Sequence, residues 1–175
     1  MLIALSAAVC AEGIMVDKEK DGYRIIQTDR TPHVFLVKGT MNDGAISLDI
    51  WEKDGIKQYS ICIYFYTVED IEKNAKLLLK FGNDEILELK SSDRSTTQRV
   101  GTFPIIQTLT YVSYPISREQ LQKVMSNNVV KLRVETSTDH IDGKVYGKKF
   151  TNTICNDYAL IEQALQQENS LYDDF

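Results

Sequence analysis

AISLDIWEKDGIKQYSICIYFYT (residues 45–67) consists of two alternating apolar runs joined by Lys53-Asp54-Gly55. Asp-Gly between two period-two segments is the strongest short-range signal for a β-hairpin, because both central positions of its turn need a positive φ. In the first arm Ile46, Leu48 and Ile50 point one way. In the second, Tyr59, Ile61, Ile63 and Phe65 share a face opposite Cys62, Tyr64 and Tyr66. Both faces of that second arm are apolar or aromatic, so it is expected as a central strand covered on both sides.

The same period extends outward. GYRIIQT (22–28) and HVFLVKG (33–39) read as short strands separated by a turn-like cluster containing Pro32. AKLLLKF and EILELKS flank Gly82-Asn83-Asp84 as a second hairpin. Thirteen mostly polar residues, SSDRSTTQRVGTF (91–103), show neither period and are expected as a long loop, a class of segment that is functional or disordered.

A strand through IQTLTYVSY stops at Pro115, and Ser117 with Gln120 three residues later forms a capping box. Ile116 and Leu121 bracket that cap at the spacing of a hydrophobic staple, which predicts a short helix over about 117–126. VVKLRVE then returns as a strand with Val130, Leu132 and Val134 inward, and the last strand is expected over 144–150. A C-terminal helix over about 153–167 carries the stripe Ile154, Tyr158, Ile161 and Leu165. Hairpin-joined strands followed by late helices predict an α+β, mainly antiparallel β domain. Its form is a curved sheet or two-layer sandwich with both helices packed on it.

At the start of the chain, residues 2–10 are apolar or small, no charge precedes Glu12, and Val9-Cys10-Ala11 resembles a cleavage site. Residues 1–11 are therefore read as a signal-peptide remnant, residues 12–168 as one β-rich domain and 169–175 as a frayed acidic tail. This places the protein in a secreted or periplasmic setting. The apolar run is about half of what crosses a bilayer, so no integral span is expected.

The 20 Lys and Arg residues are scattered among 25 Asp and Glu, for a net charge of −5. No basic stripe emerges, and a nucleic-acid partner is not expected. The partners that remain are an extracellular peptide, protein or carbohydrate, met by a monomer or small oligomer.

The chemistry that the sequence offers is sparse. It contains no glycine-rich phosphate loop and no G-x-S-x-G elbow, and only His33 and His140 are available as imidazoles. Asp139, Asp142 and Gly143 lack the spacing of a calcium loop. No catalytic set, metal site or cofactor is assigned.

Removal of Cys10 would leave Cys62 and Cys155 as a candidate disulfide, worth about 4 kcal/mol on loop entropy. Two weak binding features stand out. Tyr64, Tyr66 and Tyr111 offer broad surfaces with polar tips, and Arg94 and Arg99 in the 91–103 segment suit carboxylates. The leading expectation is a non-enzymatic binding or accessory module. A small cysteine-dependent hydrolase or redox enzyme, and a structural, assembly or adhesion subunit, are the alternatives.

Overall fold

The computed structural model describes residues 13–67, 69–102 and 105–172. The expected signal remnant, residues 1–11, lies outside them. Eleven strands form one antiparallel sheet: β1 (Ile14–Lys20), β2 (Tyr23–Thr28), β3 (Thr31–Val37), β4 (Asp43–Lys53), β5 (Ile56–Tyr66), β6 (Lys76–Phe81), β7 (Ile86–Lys90), β8 (Thr96–Thr102), β9 (Ile105–Ile116), β10 (Val129–Glu135) and β11 (His140–Val145). Two helices accompany them, α1 (Arg118–Ser126) and α2 (Lys149–Tyr172). The α+β, mainly antiparallel reading stands.

The quoted hairpin is the centre of the sheet. Asp54 and Gly55 take φ of 51° and 76°, the turn demanded by their sequence, and β4 and β5 pair in register from Lys53 opposite Ile56 to Ala45 opposite Tyr64. β5 continues to β9, so its two edges are filled. On its other edge β4 is shared: β3 pairs with Asp43–Ile46, and β2 with Asp49–Glu52. The chain bends between those two segments at Asp29-Arg30. The strand order is β7-β6-β10-β11-β3-β4-β5-β9-β8, with β1 added outside β2, and the sheet remains open.

One face of the open sheet holds the core. Ile46, Leu48, Ile50, Ile61, Ile63, Phe65, Leu77, Leu79, Phe81 and Tyr114 are almost fully buried there, covered by Leu121 and Val124 of α1 and Phe150, Ile154 and Ile161 of α2. Each such aliphatic or phenyl group contributes roughly 1.5–3 kcal/mol relative to exposure. The α1 cap is as expected: Ser117 Oγ accepts from the Gln120 N–H at 3.1 Å, and Gln120 Oε1 accepts from the Ser117 N–H at 3.0 Å.

Four local expectations change. On β10 a bulge between Val129 and Lys131 turns Val129 into the core and leaves Val130, expected inward, half-buried. Thr96–Thr102, expected as loop, is strand β8, an exposed edge whose outward polar side chains conceal the period. β1 was not anticipated, although Asp21-Gly22, with φ of 54° and 76°, joins it to β2 by the same turn signal as the central hairpin. The last strand ends at Val145, and α2 starts at Lys149, because Gly147 at φ 55° turns the chain into the helix.

Candidate functional site

The outer face of β6, β10, β11 and β3 collects cations that are remote in sequence. Lys80 stands opposite Lys131, and Lys131 opposite Lys144. Three lysines thus form one row across three adjacent strands, bounded by Ile86 on β7 and Leu36 on β3. Neighbouring strands are about 4.8 Å apart, and like charges directly opposite destabilise a sheet.

The next row holds Leu78, Arg133 and Asp142, with Lys38 alongside, its N–H donating to the Asp142 carbonyl at 2.8 Å. Arg133 grips Asp142 with both arms of its fork, at 2.6 and 3.1 Å, and that guanidinium holds the Asp142 carboxyl below its ordinary pKa. Lys80 reaches Asp84 at 2.7 Å. Among the described residues, Lys38, Lys131 and Lys144 have no carboxylate within 4.0 Å.

These five cations and one carboxylate line a groove of about 670 Å³ whose apolar surface comes from Leu36, Leu78 and Ile86, the last 59% exposed. A smaller recess of about 280 Å³, bordered by Tyr66, Thr67 and His140, shares Lys38 and Asp142 with it. His140 Nδ1 lies 2.7 Å from Asp139. Though no basic stretch exists along the chain of an acidic protein, folding produces a local cationic surface from residues up to 106 positions apart, between Lys38 and Lys144.

Of the residues singled out from the sequence, Tyr64 and Tyr111 do come together. They face each other across β5 and β9 with ring centroids 5.7 Å apart, and the Arg30 guanidinium sits 5.6 Å from the Tyr64 centroid. Tyr64 Oη and Ser47 Oγ are 3.1 Å apart, and burial pushes the Tyr64 phenol well above its ordinary pKa. Tyr66 lies instead in the smaller recess. Arg94 forms an exposed pair with Glu72, and Arg99 stands on β8 opposite Thr108. None of these five residues lines the larger groove.

A buried polar seam crosses the same outer face nearer the centre of the sheet. Asp49, 5% exposed, accepts from Gln27 Nε2 at 2.8 Å, Cys62 Sγ at 3.2 Å and Ser47 Oγ at 3.3 Å. Burial raises the Asp49 pKa and outweighs these three bonds. It also raises the Cys62 thiol, and the neighbouring Asp49 charge raises it further. Such a thiol resists forming the thiolate that nucleophilic chemistry needs.

The Cys62–Cys155 disulfide does not form. Cys62 lies on the outer face with Asp49, whereas Cys155 belongs to α2 on the core face, its Sγ 3.7 Å from the Met125 carbonyl, and both thiols are free. His33 Nδ1 pairs with Asp43 at 2.5 Å, and the Tyr146 hydroxyl donates to the same carboxylate at 2.7 Å. Among the described residues, no hydroxyl or thiol is hydrogen-bonded to either imidazole. Nor do those residues gather three or more His, Cys, Asp or Glu as a metal site, and none of the helices they form is long and apolar enough to cross a membrane.

No protein-family model matches this chain, and no curated protein or solved structure does so either. The site is therefore defined by its own geometry. The groove residues carried one sequence signal, the outward alternation of Lys131 and Arg133 and of Leu78 and Lys80. Strand order was needed to join them.

Proposed function

We propose that the protein is a non-enzymatic binding module that holds an anionic ligand on the outer face of β6, β10, β11 and β3. The observation that carries this reading is the row Lys80–Lys131–Lys144, two of whose members have no acidic partner among the described residues and all of which border an apolar-lined groove. An anion over this row would relieve a repulsion that the fold otherwise sustains. The burial and raised pKa of Cys62 count against the cysteine-dependent alternative.

Backbone amide shifts of the labelled protein, titrated with citrate, inorganic phosphate and a neutral sugar, test the proposal. Anion-dependent shifts confined to residues 78–80, 131–133 and 142–144, and lost in Lys131→Gln/Lys144→Gln, support it. No shift there with any anion overturns it.

We also place the protein outside the cytoplasm, on the strength of the apolar run over residues 2–10 and the small residues Val9-Cys10-Ala11. N-terminal sequencing of the product of the native gene decides this. A chain beginning at Glu12 supports export, and one retaining residues 1–11 removes the argument.

A further inference from the structure

The lysine row is short and its ends are closed. Beyond Lys80 stands Ile86, beyond Lys144 stands Leu36, and Leu78 fills the adjacent row beside Arg133. Carboxylates border the same end of the surface: Glu88 is opposite Leu78 on β7, and Asp84 sits against Lys80. A polyanion needs a cationic track that continues past its first contacts, and this one is interrupted by hydrocarbon and by acids within two strands.

A ligand with one anionic head and an apolar body fits the arrangement better. From the Lys131–Lys144 pair across β6 to Ile86 on β7 is about two to three strand spacings, on the order of 10–14 Å. The groove of about 670 Å³ is of the size that encloses a small organic molecule.

Resting on the anion-binding reading above, we infer that the groove takes a free small amphipathic anion, its phosphate or carboxylate head between Lys131 and Lys144 and its hydrocarbon body over Leu78 and Ile86. The two lysines supply the charge, and their alkyl stems continue the apolar lining toward Leu36. Lys80, already held by Asp84, guides the body without fixing the head.

Calorimetric titration of the full chain with octyl phosphate below its micelle concentration, beside inorganic phosphate and octanol, tests this. Octyl phosphate should bind at least about tenfold more tightly than either fragment, since several methylenes leave water. Ile86→Ser, at an exposed edge position, should weaken octyl phosphate about fivefold or more and leave inorganic phosphate unchanged. Lys131→Gln/Lys144→Gln should bring octyl phosphate down to the level of octanol.

Equal binding of octyl and inorganic phosphate overturns the amphiphile while leaving the anion reading intact. Absence of binding by every anion overturns both. Sedimentation with phosphatidylglycerol vesicles supplies the other source of the same chemistry, and capture by vesicles without binding of the free amphiphile overturns the inference in favour of a membrane surface.

Discussion

The Thr28 hydroxyl donates to the Asp157 carboxyl across 2.8 Å and accepts from the Leu48 N–H at 3.0 Å, tying α2 to the junction of β2 and β4. Asp157 is 6% exposed, and burial, reinforced by the charges of Asp49 and Asp29, pushes its pKa up to about 6, against the opposing bonds from Thr28 and the Leu48 backbone. Its folded pKa thus exceeds its unfolded value. Between about pH 4 and pH 6 the folded state holds more protons, and stability rises as pH falls through that window. The contribution is on the order of 3 kcal/mol. Denaturant midpoints across this range should fall more steeply with rising pH in the native protein than in Asp157→Asn, which keeps the parallel contribution of Asp49. Parallel profiles for the two proteins would sink the assignment.

Cys62 should be silent to a thiol reagent in the native state, because the residue is 3% exposed and its thiol is held protonated by burial and by Asp49. Cys155, half-buried on α2, should react first. Labelling followed by peptide mass analysis separates the two. Rapid modification of Cys62 without loss of structure would contradict the geometry and revive thiol chemistry.

Gly44 faces the ring of Phe35, and a Cβ built there falls within 1.9–2.4 Å of three ring carbons, Cζ, Cε1 and Cε2. The backbone of β4 cannot retreat, since β3 and β5 hold both its edges. Gly44→Ala should therefore cost about 3 kcal/mol or more, measured as a shift in the urea midpoint. Phe35→Leu in the same background should recover part of the loss.

Ser117→Ala removes one half of the capping box and should destabilise the protein by about 1 kcal/mol. A matching loss in Gln120→Ala, with the double variant costing less than the sum, would show that the two side chains act as one unit. Additive losses would argue that the reciprocal bonds at 3.0 and 3.1 Å are energetically independent.

Lys131→Gln relieves a like-charge opposition with both Lys80 and Lys144. It should stabilise the unliganded protein by a few tenths of a kcal/mol at low salt, an advantage that disappears at about 0.5 M salt. A destabilising effect insensitive to salt would show that the Lys131 stem packs rather than repels.

The local signals were legible where the chain's own chemistry restricts it. Asp54-Gly55 fixes a turn because few residues tolerate its dihedrals, and Ser117 with Gln120 starts a helix by satisfying orphan donors three residues away. β8 leaves no period in the sequence because alternation is visible only where one face is buried, and Thr96–Arg99 are exposed throughout. Among the residues picked as binding candidates, Tyr64 and Tyr111 proved to be neighbours because β5 and β9 pair, a relationship that residue type alone did not contain.

By itself, the sequence determined the alternating faces of β4 and β5, the central hairpin, the capped helix α1 and the antiparallel class of the fold. Each of these depends on contacts within a few residues or on a period of two. Tertiary structure alone decided that β2 and β3 share β4, that Cys62 and Cys155 fall on opposite faces, and that Lys80, Lys131 and Lys144 stand in one row. The period assigns a side chain to a face but leaves its cross-strand neighbour open. That neighbour is chosen by burying the core of the whole sheet at once, and the cationic groove is formed by the residues which that choice leaves outside.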